Sequence, residues 1–430
     1  MQSSFDLLAL LLSLAAVFGY LNYRILRLPL TVGLLLMALL STVVLIALGA
    51  AFPQLGIKLA IRGMLASVNL PVALLNGFLS FLLFAGALEV DFQELFARKW
   101  TILALAIFGT VLSTVLVAVA LFAVSTPLAM GIPIAWCLVF GALISPTDPV
   151  AVLLVLRRVG ISESLQAVIA GESLFNDGIG VVLFSLLLSL ATGAGGGQGP
   201  LAIAGAFVLS AVGGGLLGLA LGYAAFVMIG GVDDYNVELI ISLALVTGTY
   251  SIAGMLNVSG PVAVVVAGIL IGNHGMQRAM SETTRQHLKT FWLMVDDTLN
   301  ALLFLLIGLE IAAIDLKPHA LLAMAAMIPI VLIARWISVT ASALPLSLRL
   351  PSRFGSSLVL TWGGLRGGIA VALALALPTG PYKDALLTVA YGIVVFSIVV
   401  QGLTLEWVAR RALPGMRRHA AAQPAAVEEN

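Results

Sequence analysis

The chain has 430 residues, 61% of them hydrophobic and only 10% charged, with a formal net charge of +1. Its mean hydropathy of +1.14 lies well above what a water-soluble globular chain tolerates, which excludes a soluble enzyme or binding module and requires a bilayer. Cys137 is the single cysteine, so an intramolecular disulfide and a cysteine-based metal cluster are excluded as well.

Apolar runs of about 20 residues recur along the chain, punctuated by Gly, Pro or short charged clusters, and predict an all-α polytopic membrane protein of about thirteen transmembrane helices. The expected spans are 5–23, 29–50, 70–89, 100–124, 130–157, 163–192, 201–229, 236–256, 260–273, 287–311, 318–343, 354–378 and 384–409. The first run, 7–19, follows Asp6 with no basic stretch before it and no small-residue cleavage site after it, as expected of a retained helix and not of a signal peptide. An odd count puts the termini on opposite sides. With the N-terminus outside and the C-terminus cytoplasmic, the inner loops collect Arg24, Arg27, Arg98, Lys99, Arg157, Arg158, Arg278, Arg285, Lys289, Arg349, Arg353, Arg410, Arg411, Arg417 and Arg418. The outer loops keep Lys58, Arg62, Lys317 and Lys383, in accord with the positive-inside rule. The Gly-rich stretch 193–199 is expected to be a flexible outer loop. Residues 1–418 then form one transmembrane domain, and 419–430 a disordered cytoplasmic tail. Gly214, Gly218 and Gly222 recur at four-residue spacing in the seventh span, which permits close helix approach. Packing within one subunit explains that spacing better than dimerisation.

Five charged residues lie deep in apolar spans: Asp148, Glu172, Asp177, Arg335 and Arg366. Each costs about 2.5–3.5 kcal/mol at a helix centre on insertion scales, so each needs a partner or water and marks function by default. In Ser145-Pro146-Thr147-Asp148-Pro149 two prolines surround an acid, so the helix must lose at least one backbone partner there. Gly363-Gly364-Leu365-Arg366-Gly367-Gly368 is a second weak point in the other half of the chain. Either break alone could be a structural kink. Two of them, each carrying a charge, point to a transporter site at the bilayer midplane.

Between the breaks lies Gly171-Glu172-Ser173-Leu174-Phe175-Asn176-Asp177-Gly178. Helical spacing puts Glu172 and Asn176 on one face and Ser173 and Asp177 on the adjacent one. Arg335 is the expected partner of Glu172, since pairing relieves both insertion costs. Asp177 then lacks a fixed cation, and desolvation disfavours its ionised form. Such a carboxylate takes a proton or a small cation in competition, with Ser173, a carbonyl near Thr147 and water completing an oxygen shell. The bland alternative is an Asp177–Arg366 pair that serves stability alone. Glu89 and Asp91, and also Asp296 and Asp297, are expected at helix ends in preference to an inner vestibule.

At these residues the sequence resembles the monovalent cation:proton antiporters of the NhaP-type sodium/proton exchanger branch. The resemblance is carried by Thr147-Asp148-Pro149, Glu172-Ser173, Asn176-Asp177-Gly178, Ala334-Arg335 and Gly364-Leu365-Arg366-Gly367. It implies the NhaA/NhaP-like fold of thirteen helices with inverted repeats and two crossed, broken helices. It also implies a homodimer, with core helices at about 70–192 and 287–409 moving against dimerisation helices at about 5–50 and 201–273. By the same resemblance Asp177 is the transport carboxylate and Asn176 its neighbour, while Thr147 and Asp148 belong to the broken helix beside it. Glu172 pairs with Arg335, and Arg366 offsets helix-end charge near the second break. The ion site would then comprise Asp177, Asn176, Ser173, Thr147 and Asp148, with Asp177, Ser173 and Thr147 as direct ligands of Na+ or K+.

Relatives with Asn before the aspartate are generally electroneutral, which implies one cation exchanged per proton. In Leu83-Phe84-Ala85-Gly86-Ala87 this chain has Ala85 where some NhaP-type proteins carry a glutamate. That removes a possible ligand and keeps K+, beside Na+ and Li+, as an alternative cargo. Neither a cofactor nor a nucleic acid is implied, and a bacterial inner membrane is the expected location. Two other classes compete. An intramembrane hydrolase is disfavoured because no histidine lies near Ser173 and no Gly-x-Ser-x-Gly elbow occurs. A passive cation channel shares the acidic cavity but does not require paired helix breaks.

Overall fold

The computed structural model describes residues 4–28, 30–66, 77–148, 150–193, 200–273, 280–313, 317–343 and 353–413. In a bilayer each backbone N–H and C=O must find its partner within the protein, and Leu-, Ala- and Val-rich spans achieve this as helices. The chain opens with α1 (Ser4–Leu21), prolonged by a π-helical turn at Asn22–Leu26, then α2 (Leu30–Ala51), the short α3 (Ile57–Ala66) and α4 (Leu79–Leu88). A short α5 (Phe92–Ala97) leads into α6 (Lys99–Ser125) and then the broken pair α7 (Ile134–Ile144) and α8 (Val150–Val159). Next come α9 (Glu163–Ala191), α10 (Pro200–Gly230), α11 (Tyr235–Met255), α12 (Gly260–Leu270) and α13 (Glu282–Ala313). The chain continues through α14 (Pro318–Ala343), a second broken pair α15 (Arg353–Trp362) and α16 (Gly368–Leu375), and α17 (Lys383–Ala412).

Among the described residues nine helices are long and apolar enough to cross a membrane, and α4, α7 and α12 are shorter apolar helices. Every expected span contains helix, and the spans expected at 130–157 and 354–378 are each two helices separated at the Pro- and Gly-marked breaks. Two elements were not foreseen. Helix α3 occupies a stretch expected to be an outer loop, because ten residues that include Lys58 and Arg62 escape any search for 20-residue apolar runs. Its Arg62 Nε donates to the Ala313 carbonyl at 2.8 Å, covering an open carbonyl at the end of α13. Helix α5 is a single short turn segment N-capped by Asp91, whose Oδ1 accepts from the Gln93 N–H at 2.7 Å. Pro149, Arg278, Arg349, Arg417, Arg418, the loop at 194–199 and the tail at 419–430 lie outside the described residues.

Helix α2 lies along α13, and α4 packs on α12 and α13, while α6, α7, α9, α14 and α17 pack on one another. The glycine repeat works inside the subunit. A Cβ on Gly218 would stand 2.1 Å from the Ala263 carbonyl oxygen, and one on Gly214 2.4 Å from that of Ser259, so α10 and α12 meet backbone to backbone. Across the other group, Arg335 of α14 reaches Glu172 of α9 in a two-pronged ion pair, Nη1–Oε1 at 2.5 Å and Nη2–Oε2 at 2.8 Å, with both residues buried. Arg335 Nη2 also donates to the Leu360 carbonyl at 3.4 Å near the end of α15, so one guanidinium ties three helices.

Two outcomes follow from this packing. Gly218→Val should sharply reduce the yield of monodisperse protein in detergent, whereas Gly215→Ala, with open space around it, should leave the yield near wild type. Glu172→Ala or Arg335→Ala should lower folded stability by about 3–5 kcal/mol, read as a drop in thermal midpoint, because each strands a buried charge. The double change to leucine should recover part of that loss. Wild-type midpoints for both single variants would show that the pair contributes nothing to folding.

Candidate ion-binding site

The first break is built by Pro146, which has no N–H to continue α7 and leaves carbonyls at the helix end without partners. Arg366, from the second break, supplies them. Its Nη1 donates to the carbonyls of Ser145 and Pro146, the latter at 3.0 Å. The two extended stretches cross and pair through a single antiparallel bridge, in which the Asp148 N–H donates to the Leu365 carbonyl at 2.8 Å. The crossing is close because Gly367 has no side chain; a Cβ there would fall 2.4 Å from Asp148 Oδ2. Gly367 is also the N-cap of α16. A carboxylate therefore lies at the positive end of α16 and a guanidinium at the negative end of α7, each matching a half-helix dipole. Arg366 was expected to offset charge at its own break; the structure has its side chain serving the opposite one.

Helix α9 runs past this crossing and supplies the remaining polar groups. Asn176 Oδ1 accepts from the Thr147 N–H at 3.3 Å, and its Nδ2 donates to Thr147 Oγ1 at 2.8 Å and to Glu172 Oε1 at 3.4 Å. The amide thus replaces part of the lost helical bonding at the break. Thr147 Oγ1 and Ser173 Oγ are 3.1 Å apart. The structure therefore brings Glu172, Ser173, Asn176, Asp177, Thr147, Asp148, Arg335 and Arg366 into one neighbourhood.

Asp177 stands apart from this network. It is 4% exposed, and its Oδ1 has no hydrogen-bond partner. It lines a cavity of about 250 Å³ together with Thr147, Asp148, Gly367 and Asn300. A second cavity of about 320 Å³ shares Gly86, Glu89, Leu293 and Asp296 with the first and extends to Lys289. Together they make a passage from the start of α13 to the Asp177 carboxylate. The space holds several waters or a hydrated ion, and its wall offers carboxylate, hydroxyl and amide oxygens suited to a hard cation.

The expected helix-end role of Asp296 and Asp297 is corrected here: both line the cavity, and Asp296 is buried and accepts from Asn300 Nδ2 at 3.2 Å. The four-residue spacing of Asp296 and Asn300 on one helical face was the signal for this. Glu89 takes its expected place at the end of α4 and, beyond that expectation, lines both cavities. Ala85, one turn before it, lines the part of the passage farther from Asp177, so an acid is still present on that side of α4.

The sequence profile of the family described as "Sodium/hydrogen exchanger, transmembrane" matches residues 12–411. The Na(+)/H(+) antiporter NhaP of Pseudomonas aeruginosa is 40% identical over 419 residues, 95% of this chain and 97% of that protein. The Na(+)/H(+) antiporter NhaH of Halobacillus dabanensis is 40% identical over 339 residues, 76% of this chain and 80% of that protein. The structure of the sodium proton antiporter MjNhaP1 from Methanocaldococcus jannaschii at pH 8 superimposes with a TM-score of 0.71 at 22% identity, covering 95% of this chain and 97% of that one, a likeness of fold. Profile match, full-length identity and shared helical architecture lead to one conclusion: this chain belongs to the sodium/hydrogen exchanger family.

Proposed function

We propose that the protein is a secondary antiporter that exchanges Na+ for H+ across the membrane, with Asp177 binding cation or proton in competition. The observation that carries this reading is the buried Asp177 carboxylate, which has an oxygen without a partner and faces a polar cavity beside two helix breaks. In a desolvated site a bare carboxylate is costly, so either ligand relieves it and each excludes the other. Thr147 and Ser173 supply hydroxyl oxygens, and Asp148 adds negative charge at the crossing. Asn176 stays neutral and bound to the break, so a single carboxylate changes charge per cycle, which favours one cation per proton. Such exchange runs on concentration gradients, without the ~2.3 kcal/mol per charge per 100 mV that a membrane potential would add. The names of the relatives favour Na+; Ala85, in place of a glutamate, keeps K+ as the second candidate.

The same reading assigns the basic segments around Arg98, Lys99, Arg410 and Arg411 to the cytoplasm, so the cavity opens inward and the N-terminus lies outside a bacterial inner membrane. The moving body is the core at about 70–192 and 287–409, and the helices at about 5–50 and 201–273 form the static wall of a homodimer. Helices α4 and α13, which pack on α12 and α2, stand at the seam between the two. At that seam Gly178, next to Asp177, faces Val262 of α12, where a Cβ would come within 3.1 Å of the valine side chain.

In proteoliposomes at clamped membrane potential, adding Na+ outside acid-loaded vesicles should drive saturable proton efflux with wild-type protein. Asp177→Asn should lower that rate at least a hundredfold while retaining the wild-type elution profile. Coupled efflux surviving in this variant would remove Asp177 from its central place. Cation flux without proton coupling in the wild type would favour the channel.

A further inference from the structure

The site described above opens toward one membrane face, yet an exchanger must also receive ions from the other. Helix α13 continues past the cavity. Just past Asn300, Leu303 packs against α16, where a Cβ on Gly368 would lie 2.5 Å from its Cδ1. About 21 Å beyond Asp296, at 1.5 Å per residue, α13 carries a further acid, the half-buried Glu310. Its electrostatic neighbours are Lys383 and Asp384, at the start of α17, and Tyr391, two turns into that helix.

Helix α17 is otherwise apolar in this stretch, and its polar side chains fall on one face. Asp384, Thr388 and Tyr391 follow at four- and three-residue spacing. They also run inward: Asp384 is exposed, Thr388 is buried, and Tyr391 is 2% exposed. The Tyr391 hydroxyl is buried without a hydrogen-bond partner. A buried orphan hydroxyl is unfavourable, and a phenylalanine would fill the same space without that cost. About 9 Å further along α17, on a different side of the helix, Ser397 Oγ accepts the Arg366 N–H at 2.9 Å, so the same helix reaches the crossing.

We propose that Glu310 and Tyr391 form the outer half of the ion path, a carboxylate and hydroxyl station that receives the monovalent cation when the Asp177 site faces outward. This rests on the exchange function proposed above. The carboxylate raises the local cation concentration at the outer mouth, and the phenol oxygen replaces one water of the ion as it passes inward. Lys383, within electrostatic range, keeps the station from holding the ion too tightly.

The test is sidedness. Exchange is measured in right-side-out and inside-out membrane vesicles for wild type, Glu310→Gln, Glu310→Asp and Tyr391→Phe, at matched amounts of monodisperse protein. Glu310→Gln should raise the apparent KM for Na+ about tenfold when Na+ is supplied from the outer face and leave the inner-face KM within twofold. Tyr391→Phe should shift the outer KM in the same direction by less, and Glu310→Asp should stay near wild type. An unchanged outer KM, or equal changes at both faces, would overturn the proposal and leave the pair a structural one. Wild-type vesicles that show no exchange would overturn the antiporter reading itself, and this station with it. If Glu310→Gln does not fold, Tyr391→Phe carries the same sided readout.

Discussion

Everything in the site depends on backbone groups that two interrupted helices leave open inside an apolar medium. A bilayer interior offers no water to those groups, so a break survives only if the protein answers each exposed N–H and C=O. Here each break is completed by the other. The Asp148 N–H goes to the Leu365 carbonyl, the Arg366 guanidinium goes to the Ser145 and Pro146 carbonyls, and the Asp148 carboxylate lies against Gly367 at the start of α16. Neither break is self-sufficient, which is why residues more than 200 positions apart in sequence form one unit.

That mutual completion divides labour among neighbours that look alike in sequence. Glu172 and Asp177 are both acids on α9, little more than one turn apart. Glu172 is bound on both oxygens by Arg335, and Asn176 holds Thr147 at the break. With these groups committed to one another, the framework makes no hydrogen bond to Asp177 Oδ1. In the exchange proposed for Asp177, a carboxylate that gains and loses a ligand has to sit in such a frame; if its own bonds held the frame together, each protonation would loosen it.

Much of this was legible in the sequence, for a physical reason. Charges within apolar spans are so costly that they stand out without any alignment, and Pro146 and Gly363–Gly364 mark breaks through backbone chemistry alone. The pairing of Glu172 with Arg335 followed from cost relief, and the intrasubunit use of Gly214, Gly218 and Gly222 from their spacing. What escaped depended on tertiary placement. The position of Asp296 in α13 allowed either a vestibule or a helix end, and only the packing of α4 against α13 encloses a cavity around it. Arg366 was recognised as compensating helix-end charge, but nothing local says which of two breaks its side chain reaches. Helix α3 was missed because its amphipathic ten residues resemble a charged loop to any test based on apolar length.

The asymmetry of the structure carries the last step. On one side of the crossing a polar passage runs from Glu89 and Lys289 to Asp177; beside it, Leu303 of α13 packs against Gly368 at the start of α16. That contact joins α13 to the first turn of α16, where Gly368 leaves room for a branched side chain, and both helices lie within the core of the proposed exchanger. Leu303 and the acid proposed to receive an ion on the far side, Glu310, thus lie on the same helix, about 10 Å apart along its axis, so α13 lines the route on both sides of the crossing.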